Sequence, residues 1–149
     1  MSAKVTKKTN TVTKNGNVKQ FRTVRSRGWC FTLNNYSDDD VTMFNNLGKG
    51  VEEGTVAYMV FGKEVGTNGT PHLQGYIRFV NARSGASMKK LQSRAHWEAQ
   101  RGTNFDASVY CKKDNDFTEY GKAPSQGTDV EPFMATLYRL LRSTISEYI

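Results

Sequence analysis

The sequence predicts an α+β domain: a five-stranded antiparallel sheet with a ferredoxin-like, split βαβ core and flanking helices. Three observations predict it. Strand-like and helix-like segments follow one another as β-α-β-β-α-β-α-β, and only a turn-forming stretch, Gly66-Thr67-Asn68-Gly69-Thr70-Pro71, separates the middle pair. The strand-like segments are rich in aromatic and β-branched residues. A chain of 149 residues, 37% of them hydrophobic, can bury one modest core and little more.

Each element has a local cause. Residues 27–34 (Arg-Gly-Trp-Cys-Phe-Thr-Leu-Asn) alternate roughly between apolar and polar and read as the first strand. Ser37 followed by Asp38, Asp39 and Asp40 is a helix start, a cap and then acids in the first turn. Val41, Phe44 and Leu47 recur at helical spacing and Gly48 ends the helix. Residues 55–64 form a second strand, apolar enough to be central, and residues 72–80 a third that pairs with it as a hairpin. A helix over 84–92, a strand over 95–100, a helix over 104–114 and a short strand over 117–120 complete the domain. Gly121 to Asp129 reads as a linker, and Phe133, Leu137, Leu140, Leu141, Ile145 and Tyr148 give a helical stripe beyond it.

The division expected is therefore a flexible basic arm over 1–25, a folded domain over 26–123, and a linker with a C-terminal helix over 124–149. The net charge of +7 is unevenly placed. Residues 1–27 carry eight basic residues and no acid, which leaves 13 basic and 14 acidic residues for the rest. Such a leader can hold phosphates, serve as a nuclear address or simply solubilise the chain. No run of about 18 apolar residues exists to span a membrane, and no apolar segment in the leader suggests a signal peptide. Cys30 and Cys111 lack metal-knuckle spacing and suit a reducing compartment, cytosol or nucleus.

Two small constellations carry chemistry. His72 and Gln74, two apart on a strand, share a face while Leu73 enters the core. Glu64 ends the partner strand across the turn, so the hairpin brings its carboxylate toward them. One carboxylate, one imidazole and one amide oxygen suit Mg²⁺ or Mn²⁺ with waters retained. The plain alternative is surface decoration. Tyr110 and Lys113, at i and i+3, project from one helical face. A phenol is a poor nucleophile near neutral pH, since its pKa is ~10. A cation gripping a phosphate, and a lysine balancing the developing charge, would make it competent. The alternative is a half-buried tyrosine beside a surface lysine. His96-Trp97-Glu98 also alternates ligand types on a strand; it reads as sheet, with Trp97 inward and the other two outward.

Three segments in order, Cys30-Phe31-Thr32-Leu33-Asn34-Asn35-Tyr36, Thr70-Pro71-His72-Leu73-Gln74-Gly75 and Tyr110-Cys111-Lys112-Lys113, resemble the motifs of rolling-circle replication initiators. The resemblance is closest to the replication-associated (Rep) proteins of circular single-stranded DNA viruses, the circovirus-like ones especially. It covers about residues 25–125 and includes Gly62-Lys63-Glu64 before the turn. It implies a HUH-type endonuclease domain in which Glu64, His72 and Gln74 bind Mn²⁺ or Mg²⁺ and Tyr110 attacks the origin strand. Gln74 stands where the wider HUH pattern has a second histidine.

The resemblance places the first motif near DNA, and Thr32, Asn34 and Asn35 are candidates to hold a phosphate or read a base edge. Arg25, Arg27, Arg78 and Lys112 are candidates for the strand's backbone. The expected activity is metal-dependent nicking and joining of single-stranded DNA at a viral origin stem-loop, through a 5′-phosphotyrosine. The expected location is the host cell nucleus, with homo-oligomers possible in a longer protein. No GxxxxGK[ST] is present, so this chain is not expected to hydrolyse ATP, and it reads as the N-terminal part of a larger protein. Two rivals stand beside this reading: a non-catalytic single-strand or RNA-binding module, and a metal-dependent hydrolase that uses water.

Overall fold

The computed structural model describes residues 18–126. A short helix, α1, covers residues 18–23. It is followed by β1 (Arg25–Asn34), α2 (Asp38–Gly48), α3 (Gly50–Glu53), β2 (Val56–Val65), β3 (Pro71–Ser84), α4 (Gly85–Leu91), β4 (His96–Ala99), α5 (Asn104–Cys111) and β5 (Phe117–Tyr120). The five strands form one sheet in the order β4-β1-β3-β2-β5, and every pairing is antiparallel. The first four strands in that order have the split βαβ arrangement, and β5 is added at the β2 edge.

Alternation along the strands gives the sheet two different faces. One face carries Trp29, Phe31, Leu33, Met59, Phe61, Leu73, Ile77, Phe79 and Trp97, all buried against α2 and α4. Phe31 stacks on Phe44 of α2 with centroids 4.3 Å apart and meets Trp97 at 5.0 Å. Gly75, opposite Phe31 in the register, is the residue that leaves room for that ring. The other face carries Tyr58, Val60 and Tyr76, which form a smaller apolar cluster with Cys111 of α5. Two irregularities, between Ser26 and Gly28 and between Val56 and Tyr58, shift the parity at the far ends of β1 and β2.

Within the described residues the expected strands and helices are present, with three differences. The last third of the expected arm is not an arm. Residues 18–23 are helical, Phe21 packs edge-on against Trp29 at 6.0 Å, and Arg25 already pairs with Ser84. The cause is Phe21 itself, an aromatic within an otherwise polar stretch that finds the core. The helix expected over 104–114 ends at Cys111, because Lys112 caps it and Asn115 turns the chain at φ 61°. The one-turn helix α3 had no periodic signal to reveal it. Residues 1–17, and the C-terminal stripe from Phe133 to Tyr148, lie outside the described residues.

The start of α2 is also a tertiary clamp. Ser37 and Asp40 form a reciprocal capping box. The buried Asp40 carboxylate also accepts from Gln92 at 3.0 Å and from Arg94, tying α2 to the α4–β4 connection. The Arg94 hydrogen bond is the main reason the Asp40 carboxyl titrates below its ordinary value of 3.8. A depressed carboxyl stabilises the fold above its unfolded value and loses that contribution as pH falls through the folded one. Asp40→Asn should therefore lower Tm at pH 7, and the gap to the parent should close below pH ~4 in thermal melts.

Candidate active site

The β2–β3 hairpin sets the first part of the site. Its register puts Glu64 opposite His72 and Gly62 opposite Gln74, while β1 on the other side puts Asn34 opposite His72 and Thr32 opposite Gln74. All three expected ligands therefore share the face away from the aromatic core. They are 5%, 8% and 7% exposed, so none is surface decoration. His72 Nε2 is 3.1 Å from Glu64 Oε1, and His72 Nδ1 is 3.3 Å from the Thr70 carbonyl oxygen. The Thr70 carbonyl accepts only from a protonated Nδ1 and the Glu64 carboxylate only from a protonated Nε2, so the tautomer decides which bond is made. Gln74 is held at both ends: Nε2 donates to the Phe31 carbonyl at 3.2 Å, and Oε1 accepts from Thr32 Oγ1 at 3.1 Å. That pair of bonds fixes which end of the amide is oxygen.

Helix α5 supplies the second part. Thr103 caps it through the Asp106 amide, and Ser108 and Cys111 are buried against the sheet. Its C-terminal end rests directly on β2. Gly62 lies beneath the Cys111 carbonyl, with which a Cβ would collide, and the Lys63 amide bonds the Asp116 carbonyl at 2.8 Å. Tyr110 and Lys113 remain together although the helix stops before Lys113. The Lys113 ammonium lies 4.1 Å from the centre of the Tyr110 ring and also pairs with Glu64 Oε1. One lysine thus bridges the ring and the carboxylate.

Between α5 and the β1–β4 edge runs a cleft of about 430 Å³, lined by Thr32, Gln74, His96, Glu98, Tyr110 and Cys111 among others. Tyr110 and Gln74 both line this space, and the Tyr110 hydroxyl is itself buried. His96 and Glu98 bond each other at 3.1 Å on its outer lip. They point outward, as expected, but outward here means into this cleft, because His96 is in register with Thr32. The strand register that would have shown this cannot be read from a single chain.

The residues expected on DNA divide. Thr32 faces the cleft, but its hydroxyl is engaged in holding Gln74. Asn34 and Asn35 are exposed at the end of β1; Asn35 turns there at φ 53° and its amide bonds the Pro71 carbonyl at 2.8 Å. Arg78 is on the site face, in a network with Asn104 at 3.2 Å and Gln100 at 3.5 Å that also takes in Tyr76. It braces the approach to α5. Lys112 turns away from the cleft to Glu119 and the Phe117 ring. Arg25 and Arg27 are not brought to the site. They sit at the opposite end of β1, and the nine-residue span from Arg25 to Asn34 is about 30 Å at ~3.3 Å per residue.

One atom speaks directly to a cation. Glu64 Oε2 is buried and has no hydrogen-bond partner. A buried carboxylate oxygen left so is costly unless a positive charge satisfies it. Among the described residues no three His, Cys, Asp or Glu side chains gather as a metal site; Glu64 and His72 lie beside the amide of Gln74. Burial pushes the Cys111 thiol well above the ordinary thiol range, which keeps a soft thiolate out of the neighbourhood. Glu64, His72 and Gln74 therefore fit a hard divalent ion.

The chain matches the family model for viral replication proteins (Viral_Rep) over residues 26–114. It is similar to the replication-associated protein of Canary circovirus, 40% identical over 106 residues, which cover 71% of this chain and 35% of the relative. It is similar to the replication-associated protein of Beak and feather disease virus, 42% identical over 90 residues, covering 60% and 30% of the two chains. It also resembles the master replication protein of Subterranean clover stunt virus, 36% identical over 91 residues, covering 61% and 28%. The chain spans about a third or less of the length of these curated relatives.

The close approach of α5 to β2 gives a test of the geometry alone. Gly62→Ala must push the Cys111 carbonyl away, and overpacking of this kind costs ~1–3 kcal/mol. A urea titration should show a lower midpoint with an unchanged slope.

Proposed function

We infer a function from one premise, that the chain belongs to the family of viral replication proteins. The function is nicking and joining of single-stranded DNA at a viral replication origin, with Tyr110 as nucleophile and a covalent 5′-phosphotyrosine as intermediate. One arrangement supports the reading: Tyr110 and Gln74 line the same cleft, and Lys113 spans from the Tyr110 ring to Glu64.

In the forward step the Tyr110 oxygen attacks phosphorus and the bond from phosphorus to the 3′ oxygen breaks. The phenol gives up its proton, and the departing 3′ oxygen takes one up. The products are a phosphotyrosine on the 5′ side and a free 3′-hydroxyl. In the reverse step a 3′-hydroxyl attacks the same phosphorus and releases the tyrosine. The ester conserves the bond, so no nucleotide is consumed. Lys113, a cation on the ring face, stabilises negative charge as the phenol becomes phenolate. Thr32 and the Phe31 carbonyl keep the Gln74 oxygen turned into the site. Glu64, His72 and Gln74 would hold Mn²⁺ or Mg²⁺, and such an ion draws charge from the non-bridging oxygens and makes phosphorus easier to attack.

The substrate proposed is the exposed strand of an origin stem-loop, and the proposed place of action is the host cell nucleus. Two thiols and no metal-knuckle spacing are compatible with that compartment.

Incubation with a labelled single-stranded origin oligonucleotide and Mn²⁺, followed by a denaturing gel, should give a labelled protein band. Tyr110→Phe should abolish that band without changing the melting curve. Cut fragments with no labelled protein would instead mean attack by water, and intact DNA a binding module. Calorimetric titration with Mn²⁺ checks the ligands separately. Glu64→Gln should remove binding, and Thr32→Val should weaken it by ~10–100-fold, the usual cost of losing a group that orients a ligand.

A further inference from the structure

We propose that Lys113 holds the place of the divalent ion at Glu64, and moves from there to Tyr110 when that ion binds. The proposal rests on the reading of Glu64, His72 and Gln74 as ligands of the ion. It goes beyond that reading by giving Lys113 two successive partners, so that one side chain couples the ion to the nucleophile.

The Glu64 carboxylate is crowded at one oxygen. Oε1 meets both His72 Nε2, at 3.1 Å, and the Lys113 ammonium, whereas the buried Oε2 has no hydrogen-bond partner. An ion held by Glu64 and His72 together has to bond a carboxylate oxygen and the lone pair of an imidazole nitrogen. Adjacent ligands of an octahedral ion with bonds of ~2.1 Å stand about 3 Å apart. Oε1 and Nε2 have that separation. The Thr70 carbonyl, 3.3 Å from Nδ1, can hold the imidazole proton on the other nitrogen and leave Nε2 to a cation. The place with the geometry of an ion is therefore beside Oε1, where the ammonium is paired.

An ammonium and a divalent ion do not sit together there. Glu64 supplies one negative charge, and its side chain is 3% exposed, so little water reaches the carboxylate to screen an excess of positive charge. Among the described residues Glu64 is the one acid paired with Lys113. The two cations therefore compete for a single carboxylate.

Lys113 is placed to leave Glu64 and yet stay close. It lies past Cys111, the last residue of α5, so the helix does not hold its stem, and its side chain is more exposed than that of Glu64, 23% against 3%. A lysine stem is flexible and its ammonium is a compact charge that can change partners. The ammonium lies 4.1 Å from the centre of the Tyr110 ring, so turning from the carboxylate leaves the ring as its neighbour. While Lys113 is paired with Glu64, the carboxylate offsets much of its pull on the phenol. Once the ion has replaced it, its charge acts on Tyr110 undivided.

The test is calorimetric titration with Mn²⁺ of Lys113→Met, with Lys113→Gln as a second variant and Lys112→Met as the control. Lys112 is the adjacent lysine, but its ammonium pairs with Glu119 and lies over the Phe117 ring. Both Lys113 variants should bind Mn²⁺ about tenfold or more tightly than the parent, the scale of removing one member of a close charge pair. The control should bind like the parent. Thermal melts give a second readout that does not depend on activity. Without the ion, Lys113→Met should melt below the parent, because Glu64 has lost its counter-charge. With saturating Mn²⁺ the gap should close, because the pair is then broken in the parent too. An affinity unchanged or weakened in the Lys113 variants overturns the proposal, as does an equal tightening in the control. So does a stability gap as wide with the ion as without it, since Lys113 would then remain on Glu64. Equal binding by parent and variants leaves the ion site standing and removes only the displacement. Absence of binding in all of them removes the reading of the ligands as well.

Discussion

The register between β2 and β3 is the constraint on which everything else depends. With Glu64 opposite His72 and Gly62 opposite Gln74, three polar side chains meet on one face and Leu73 and Phe61 fill the other. A slip of one residue would exchange the two sets, burying the carboxylate in the aromatic core and exposing the rings. The fold resists it from both sides. The turn from Gly66 to Thr70 is closed by its own backbone bonds, and Phe31 is matched to Gly75, the position that accepts its ring. The packing that stabilises the sheet is thus the same packing that places the candidate ligands.

On this foundation α5 is positioned by contact with backbone, not by a long apolar stripe. The helix is eight residues long and gives the sheet only a small cluster around Cys111. Its C-terminal end is set by Gly62, and its N-terminal approach by the network of Gln100, Asn104, Tyr76 and Arg78. Burial raises the Tyr76 hydroxyl above the ordinary phenol range, so it stays a neutral donor in that network. Two anchors fix a short helix in both height and direction.

The sheet and most of its helices were legible because their signals are local: alternation, the Ser37 cap, the Gly-rich turn. The grouping of Glu64, His72 and Gln74 was legible because a hairpin needs only its own turn to define its pairing. What escaped depends on distant pairing. That Thr32 would hold Gln74, and that His96 would face the cleft, follows from β1 lying between β3 and β4, which no spacing along the chain announces. Arg25 and Arg27 looked close to the first motif in sequence, yet an extended strand carried them to the other pole. Phe21 was passed over because one aromatic in a basic leader gives no periodicity.

The pairing of Lys113 with Glu64 has a bearing on how the protein comes into being. A carboxylate buried in a fold ordinarily demands a counter-charge from outside, and many small metal-binding domains stay unfolded until they find one. This chain brings its own on Lys113, which lies just past the end of α5. A cation therefore stands beside the buried Glu64 carboxylate in the folded domain without one being supplied from outside.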